Sequence, residues 1–420
     1  MLAAMPPTPP TTPNPGEPPV RDRGDACPGA LRLHAADDGR LARLRLPAGL
    51  LTVRQVMVLA AAAEDLGDGS VSVTSRGNVE LRGLGEGCGA ELAEVLADAG
   101  LLPSATHERV RNIVASPTAG LDGLGRADVQ LWARELDSLL CGRAWTAALS
   151  GRFLFVLDDG RGDVAGLGGD VTLIAGGPGP RSVRLRVGGQ DFLVADADAP
   201  GAALAAAGAF LDTARTAGNG AWRVRELPED RVPDLAGALG GAGIAAEPVP
   251  AREMSQGAPP LPGPLGGTAL HVLAPLGRFT AAQLRALAES GGDVRLTPWR
   301  GAVVTGFPDR AAAAHRLRAL DTYGLITDPR SPWVGVGACT GRPGCAKSLA
   351  DVRADADPGR GGLPVHFSGC ERRCGHPQAP AWVDVVATGE GTYLVDGRPT
   401  PRTDLPDAVA AARTPSATTR

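Results

Sequence analysis

Two stretches of the chain carry the same rhythm of apolar and polar positions. One begins Pro47-Ala-Gly-Leu-Leu-Thr52-Val-Arg-Gln55, the other Pro275-Leu-Gly-Arg-Phe-Thr280-Ala-Ala-Gln283. Both share P-x-G-x-x-T-x-x-Q, 228 positions apart. A Thr hydroxyl and a Gln amide three residues on can each satisfy the other's orphan backbone donor. Each pair therefore predicts a capping box opening an apolar-periodic helix. An alternating strand and a turn follow each helix. Thr74-Ser-Arg76-Gly77 in the first copy answers Thr297-Pro-Trp299-Arg300 in the second, now at an offset of 223. A second helix is predicted over 90–99 and again over 311–320. Strand–helix–strand–helix in each copy suggests a ferredoxin-like α+β half. The offset of 223 also sets Ser116 against Cys339, so the two halves are expected to be related, with metal in only one.

Between the copies, 152–157 and 182–187 run apolar or alternate like strands. An alanine-rich helix is predicted over 200–216, stopped near Gly218. The expected organisation is a Pro-rich disordered tail (1–22), a ferredoxin-like half (23–105), and an α+β domain without metal (106–246). A Pro/Gly-rich linker (247–267), a second ferredoxin-like half (268–330), a metal-bearing α+β domain (331–412) and a short disordered tail (413–420) complete it.

Composition narrows the function classes. The 420 residues hold 42 basic and 46 acidic side chains, a formal net charge of −4, which argues against a nucleic-acid-gripping protein. Lys347 is the only lysine, so any anion site must be built from arginine. The longest apolar run, 56–63, is far short of the roughly 20 residues of a membrane span. Eight prolines between Pro6 and Pro19 break any signal-peptide core, and a cytoplasmic location is expected.

In that compartment structural disulfides are rare, and four of the seven cysteines crowd into 36 residues. They form Cys339-x5-Cys345 and Cys370-x3-Cys374. Thiolates are the soft ligands an iron–sulfur cluster requires, and four complete a [4Fe–4S] cubane. Zinc is the competing ligand chemistry, but its paired ligands are usually two to four residues apart.

Read with the repeat, these residues resemble the sirohaem nitrite/sulfite reductase superfamily, and within it the precorrin-3B synthases. The segments that carry the resemblance include Arg43-Leu-Arg45-Leu-Pro47, Thr74-Ser-Arg76-Gly-Asn78, Arg111-Asn112-Ile-Val-Ala-Ser-Pro117, Leu157-Asp-Asp-Gly-Arg-Gly-Asp163 and Ser368-Gly-Cys370-Glu-Arg-Arg-Cys374. The resemblance implies an α+β fold, a pseudo-twofold repeat of ferredoxin-like half-domains, each followed by a nitrite/sulfite-reductase-type α+β domain. It implies that Cys339, Cys345, Cys370 and Cys374 hold one [4Fe–4S] cluster, and it leaves room for an additional iron. It assigns substrate binding to Arg43, Arg45, Arg76, Asn78, Arg111 and Arg152, and names no catalytic residue. The implied reaction is an iron–sulfur monooxygenation of the tetrapyrrole precorrin-3A with O2, hydroxylation and lactone formation, in aerobic cobalamin biosynthesis. No flavin or nicotinamide motif occurs in the chain, so electrons would come from an external donor, ultimately NADH.

One departure bears on the alternatives. Sulfite reductases place a second lysine where this chain has Leu154. That weakens the first rival, a sirohaem-dependent sulfite or nitrite reductase, because oxyanion reduction uses such a charge. The second rival is a non-catalytic metal-stabilised binding module. The remaining motifs read blandly. His366 and His376 are expected to hydrogen-bond around the cluster segment rather than ligate, and Cys27, Cys88 and Cys141 are incidental thiols. Gly241-Ala-Gly-Ile-Ala-Ala246 reads as a helix stop rather than a dinucleotide loop.

Overall fold

The computed structural model describes residue 25 and residues 29–177, 181–253, 257–377, 381–389 and 391–414. The expected tail over 1–22 and Cys27 lie outside them. Both capping boxes form: Thr52 opens the helix Val53–Leu66 and Thr280 the helix Ala281–Ala288, each with reciprocal bonds to Gln55 and Gln283. The alanine-rich helix runs Ala199–Ala217 and ends on a left-handed Gly218. Glycine is suited to that cap because it has no Cβ to clash. The helix Leu235–Gly241 stops at the glycine-rich segment read as a helix stop.

The repeat extends to the backbone. Ala48-Gly49 and Leu276-Gly277 all adopt positive φ, as do the paired turn residues Gly77 and Arg300. Two five-stranded antiparallel sheets form the ferredoxin-like halves, and each half lends the other a strand. In the first sheet His34–Ala36, Gly39–Leu44, Val79–Leu84 and Ser70–Val73 are followed by Arg278–Thr280 from the second copy. In the other, Gly263–Leu265, Ala269–Leu273, Gly301–Val304 and Val294–Leu296 are followed by Leu50–Leu51 from the first. The exchanged strands sit just before the capping boxes. A Cβ on Gly49 would lie 2.1 Å from the Leu296 carbonyl, so the crossing needs glycine there. Helices Val53–Leu66 and Ala281–Ala288 pack together. One core joins the halves, with Leu51, Leu59 and Leu81 beside Leu270, Leu284 and Val294.

The two remaining sheets repeat each other. In one, Ile113–Ala115, Phe155–Asp158 and Val171–Ala175 run parallel, and Ser182–Val187 and Gln190–Ala195 return antiparallel. In the other, Val336–Ala338, Val365–Ser368 and Val383–Gly389 run parallel, and Thr392–Val395 and Arg398–Pro401 return. The first sheet is covered by helices Val129–Cys141 and Ala199–Ala217, the second by the shorter helix Leu405–Ala412. Where the first has Val129–Cys141 between its leading parallel strands, the second has an irregular segment bearing Cys339 and Cys345.

Two expected boundaries move. The segment read as a linker over 247–267 begins and ends in strands: Glu247–Val249 extends one sheet, and Gly263–Leu265 opens another. The expected tail at 413 starts too early. Arg413 is fully buried and donates to the carbonyls of Pro332, Val334, Pro358 and Leu363. A charged residue near a chain end looks solvated in sequence, and nothing local reveals four carbonyls brought in from 50 to 81 positions away.

Candidate cluster and tetrapyrrole site

Two parallel strands deliver the cysteines. Cys339 follows Val336–Ala338, and its N–H donates to the Phe367 carbonyl at 2.9 Å, extending the ladder by one rung. Ser368 ends the neighbouring strand, and Gly369 N–H donates to Cys339 Sγ at 3.2 Å. Leu349 N–H donates to the Gly369 carbonyl at 2.8 Å, tying the first cysteine loop to the second. Cys339, Cys345 and Cys370 are half-buried and Cys374 is exposed. Burial raises the pKa of the Cys374 thiol, and Cys339, Cys370 and Cys345 raise it further. Yet among the described residues no three of the four sulfurs come within 4.8 Å. A single tetrahedral zinc with bonds of about 2.3 Å would hold its sulfurs roughly 3.8 Å apart. Four thiolates are the soft donor set that an iron–sulfur cluster takes.

The first half grips the loop between Cys339 and Cys345. Arg82 forks onto Asp38 with both bonds at 2.9 Å and donates to the Gly344 carbonyl at 2.6 Å, while Asp37 accepts from Ala346 N–H. The surroundings are cationic. Arg353 donates to the Cys339 carbonyl at 3.1 Å. Its pKa is pushed down to about 10 by burial and by Arg278, Arg300 and Arg82, against the pull of Cys339. Arg300 is also lowered, by burial, with Cys339 and Glu80 opposing. His366 behaves as expected: its Nε2 meets the Cys374 carbonyl at 3.0 Å, and burial and Arg300 push its pKa down to about 3. His376 stacks on Trp382.

The sequence-derived arginines divide. Arg45 is buried and reaches the Gly151 carbonyl at 3.3 Å, and Arg76 reaches the Arg152 carbonyl at the same distance. Both therefore converge on one short loop. Arg152 itself is exposed and lies over the Trp222 ring at 5.1 Å. Arg43 pairs instead with Glu80 (Nε–Oε1 2.8 Å), so Arg43 and Arg45 go to different partners although strand periodicity puts them together. Asn78 is a framework residue: it accepts from Leu46 N–H and donates to Asn112, both at 2.9 Å. Arg111 forks onto Asp137 at 2.6 and 2.7 Å and is buried. That fork occupies two of its donors inside the protein, and sequence spacing does not reveal a carboxylate 26 positions away.

Leu154 is buried in a small apolar cluster with Val114, Val156 and Val164, against which Trp299 packs. The first half also keeps the outline of the cysteine site. Ser116 N–H donates to the Leu157 carbonyl, and Asp159 N–H donates to Ser116 Oγ at 3.1 Å, the same two bonds that Cys339 makes. In place of sulfur stands a buried acidic network that sequence reasoning missed, although the string Asp158-Asp-Gly-Arg-Gly-Asp163 displays it. Asp158, Asp159 and Asp163 bring one oxygen each within 4.8 Å of the others. Asp158 is filled by four backbone N–H groups, from Gly160, Gly162, Val164 and Ala165. Asp159 is forked by Arg161, which also holds Asp122. Asp163 Oδ1 accepts from Ser116 Oγ at 2.6 Å, and Oδ2 has no hydrogen-bond partner among the described residues.

Comparison with known proteins agrees with this fold. Residues 34–99 match the nitrite/sulfite reductase ferredoxin-like half domain. A precorrin-3B synthase from Sinorhizobium sp is 29% identical over 405 residues, covering 91% of this chain and 86% of the relative. A ferredoxin–nitrite reductase from Synechococcus elongatus is 27% identical over 392 residues, covering 80% and 74%. The structure of the Mycobacterium tuberculosis NirA protein superposes with a TM-score of 0.72 at 19% identity, covering 91% of this chain and 82% of that one. The fold is thus the paired ferredoxin-like α+β architecture expected from the repeat.

Proposed function

We infer that this chain, a relative of the nitrite and sulfite reductases, acts as a precorrin-3B synthase. It would hydroxylate precorrin-3A with molecular oxygen and close a lactone on the ring-A acetate. The observation that carries the choice over oxyanion reduction is Leu154. A site that holds and protonates a small oxyanion needs a cation there, and this chain has an apolar cluster instead. The extent of the likeness supports it too, since the synthase relative is matched over 86% of its length.

Cys339, Cys345, Cys370 and Cys374 are proposed to hold a [4Fe–4S] cluster, which when bound would supply electrons one at a time. Arg45, Arg76 and Arg152 are proposed to orient the substrate. A corrinoid precursor is rimmed by ionised acetates and propionates, and guanidinium forks bind such groups while staying charged. For balance, one oxygen atom of O2 and the carboxyl oxygen of the ring-A acetate add across a ring carbon–carbon double bond, giving the hydroxyl and the lactone with no water lost in the closure. The other atom of O2 leaves as water, taking up two protons and two electrons from an external donor that draws ultimately on NADH. Arg43, Asn78 and Arg111, already paired within the protein, are assigned to shaping the pocket wall.

The test is an absorption spectrum with iron and acid-labile sulfide analysis on protein purified without air, followed by substrate, O2 and a reductant. A cluster spectrum without porphyrinoid bands, and a product heavier by one oxygen atom, are expected. Bound sirohaem with nitrite or sulfite turnover would overturn the proposal in favour of the reductase. Zinc without iron or sulfide, even after reconstitution, would overturn both.

A further inference from the structure

A cubane requires four cysteines in register, and here they lie on two separate segments. We propose that Arg300 is the positioning residue that clasps these segments around the cluster and, as a fixed cation beside it, raises the cluster's reduction potential. The inference rests on the cluster assignment above and concerns what holds and tunes that cluster.

The geometry is specific. Arg300 Nη2 donates to the Gly375 carbonyl at 2.6 Å and Nη1 to the Ala338 carbonyl at 3.4 Å. Those carbonyls belong to the neighbours of Cys374 and Cys339, so one planar guanidinium spans both ligand segments. Room for it comes from two missing side chains. A Cβ on Gly375 would lie 2.5 Å from Arg300 Nη2, and one on Gly337 would lie 3.0 Å from Nη1.

The repeat sharpens the argument. Arg300 sits in a left-handed turn at φ +63°, and its counterpart in the half without cysteines is Gly77 at φ +68°. Backbone conformation alone favours glycine at such a position. The half that carries the cysteines nevertheless has arginine there, so the side chain must supply something that offsets the unfavourable backbone. Among charges that favour the ionised guanidinium are Cys339 and Glu80. Reducing a thiolate-ligated cluster adds negative charge, and a nearby cation stabilises the reduced form.

The experiment uses the full chain with its cluster, prepared anaerobically as wild type, Arg300→Gln and Arg300→Lys. Iron and labile sulfide are measured first, then iron release to a chelator, then the ratio of reduced to oxidised cluster by EPR at a fixed potential. In Arg300→Gln that ratio should fall about tenfold, equivalent to 59 mV for a one-electron couple, and iron release should quicken. Arg300→Lys should restore the ratio but not chelator resistance, because a single compact ammonium nitrogen lacks the planar fork whose two nitrogens each reach one carbonyl. A wild-type ratio in Arg300→Gln overturns the electrostatic role. If Arg300→Gln holds no cluster, Arg300→Lys decides: iron release no faster than wild type overturns the clasp. Wild-type protein without iron or sulfide after reconstitution would instead sink the cluster assignment itself.

Discussion

Replacing Asp163 by Asn should stabilise the protein, and should do so far more at pH 8 than at pH 5. Asp163 is 7% exposed, with Asp158 and Asp159 alongside. Burial pushes its pKa up from 3.8 to about 7, the Ser116 hydroxyl pulls it back, and the two neighbouring carboxylates push it further up. Between those two values the folded protein keeps a proton that the unfolded chain has released. Stability therefore falls as pH rises through this window, and the penalty is complete above the folded pKa. Three pH units at 1.36 kcal/mol each give a ceiling of about 4 kcal/mol. Asn copies the neutral acid: its carbonyl can still accept from Ser116, and its amide can donate among the carboxylates. The variant's advantage at pH 8 should exceed its advantage at pH 5 by about 3 kcal/mol, two units at the same slope. Urea denaturation of both proteins at the two pH values measures this difference. Infrared spectroscopy supplies a second readout, a protonated-carboxyl band at pH 5 that Asp163→Asn lacks. Equal stability differences at both pH values, with no such band, would refute the argument.

Cys374→Ser should abolish cluster assembly while leaving the fold intact by circular dichroism, and full iron and sulfide content in that variant would exclude Cys374 as a ligand. Arg413→Ala removes a buried guanidinium and strips four half-buried carbonyls of their donor, and should cost about 3 kcal/mol, read as a lowered urea midpoint. Arg111→Ala and Arg76→Ala should separate structure from binding. The first breaks a buried fork with Asp137 and should cost about 2 kcal/mol of stability. The second should leave stability within about 0.5 kcal/mol and weaken tetrapyrrole binding, as measured by fluorescence quenching. A reversed pattern would return Arg111 to the substrate site.

What the sequence made legible is what local chemistry encodes. Thr52 and Gln55, or Thr280 and Gln283, need only each other to start a helix, so both capping boxes were readable from spacing alone. The offset of 223 between Ser116 and Cys339 survived into three dimensions down to the bonds around the two side chains. The exchanged strands Leu50–Leu51 and Arg278–Thr280 were not legible. Two or three residues carry no periodicity, and the half they join is decided by a crossing at Gly49 and Leu296 more than 240 positions apart. The arginines were only half legible for a related reason. A guanidinium's role depends on what faces it, and neither Asp137 opposite Arg111 nor Glu80 opposite Arg43 is visible from the arginine's own segment.

The comparison of the two halves then isolates what makes one of them chemical. The same strand order, the same rung to the next strand and the same N–H aimed at the side chain of residue 116 or 339 are present in both. With oxygen at that position, the pocket closes on itself: Asp158 is filled by backbone donors, Asp159 by Arg161, and burial pushes the pKa of Asp163 up. With sulfur there, no helix fills the following segment, the first half reaches across with Asp37, Asp38 and Arg82 to hold the loop, and cations gather behind it. The backbone repeat thus supplies a socket twice, and the donor atoms decide whether it becomes a filled core or an open site. On that argument Ser116→Cys alone should not create a second cluster. The Asp158–Asp163 network would still fill the socket, and iron content should stay at the wild-type value.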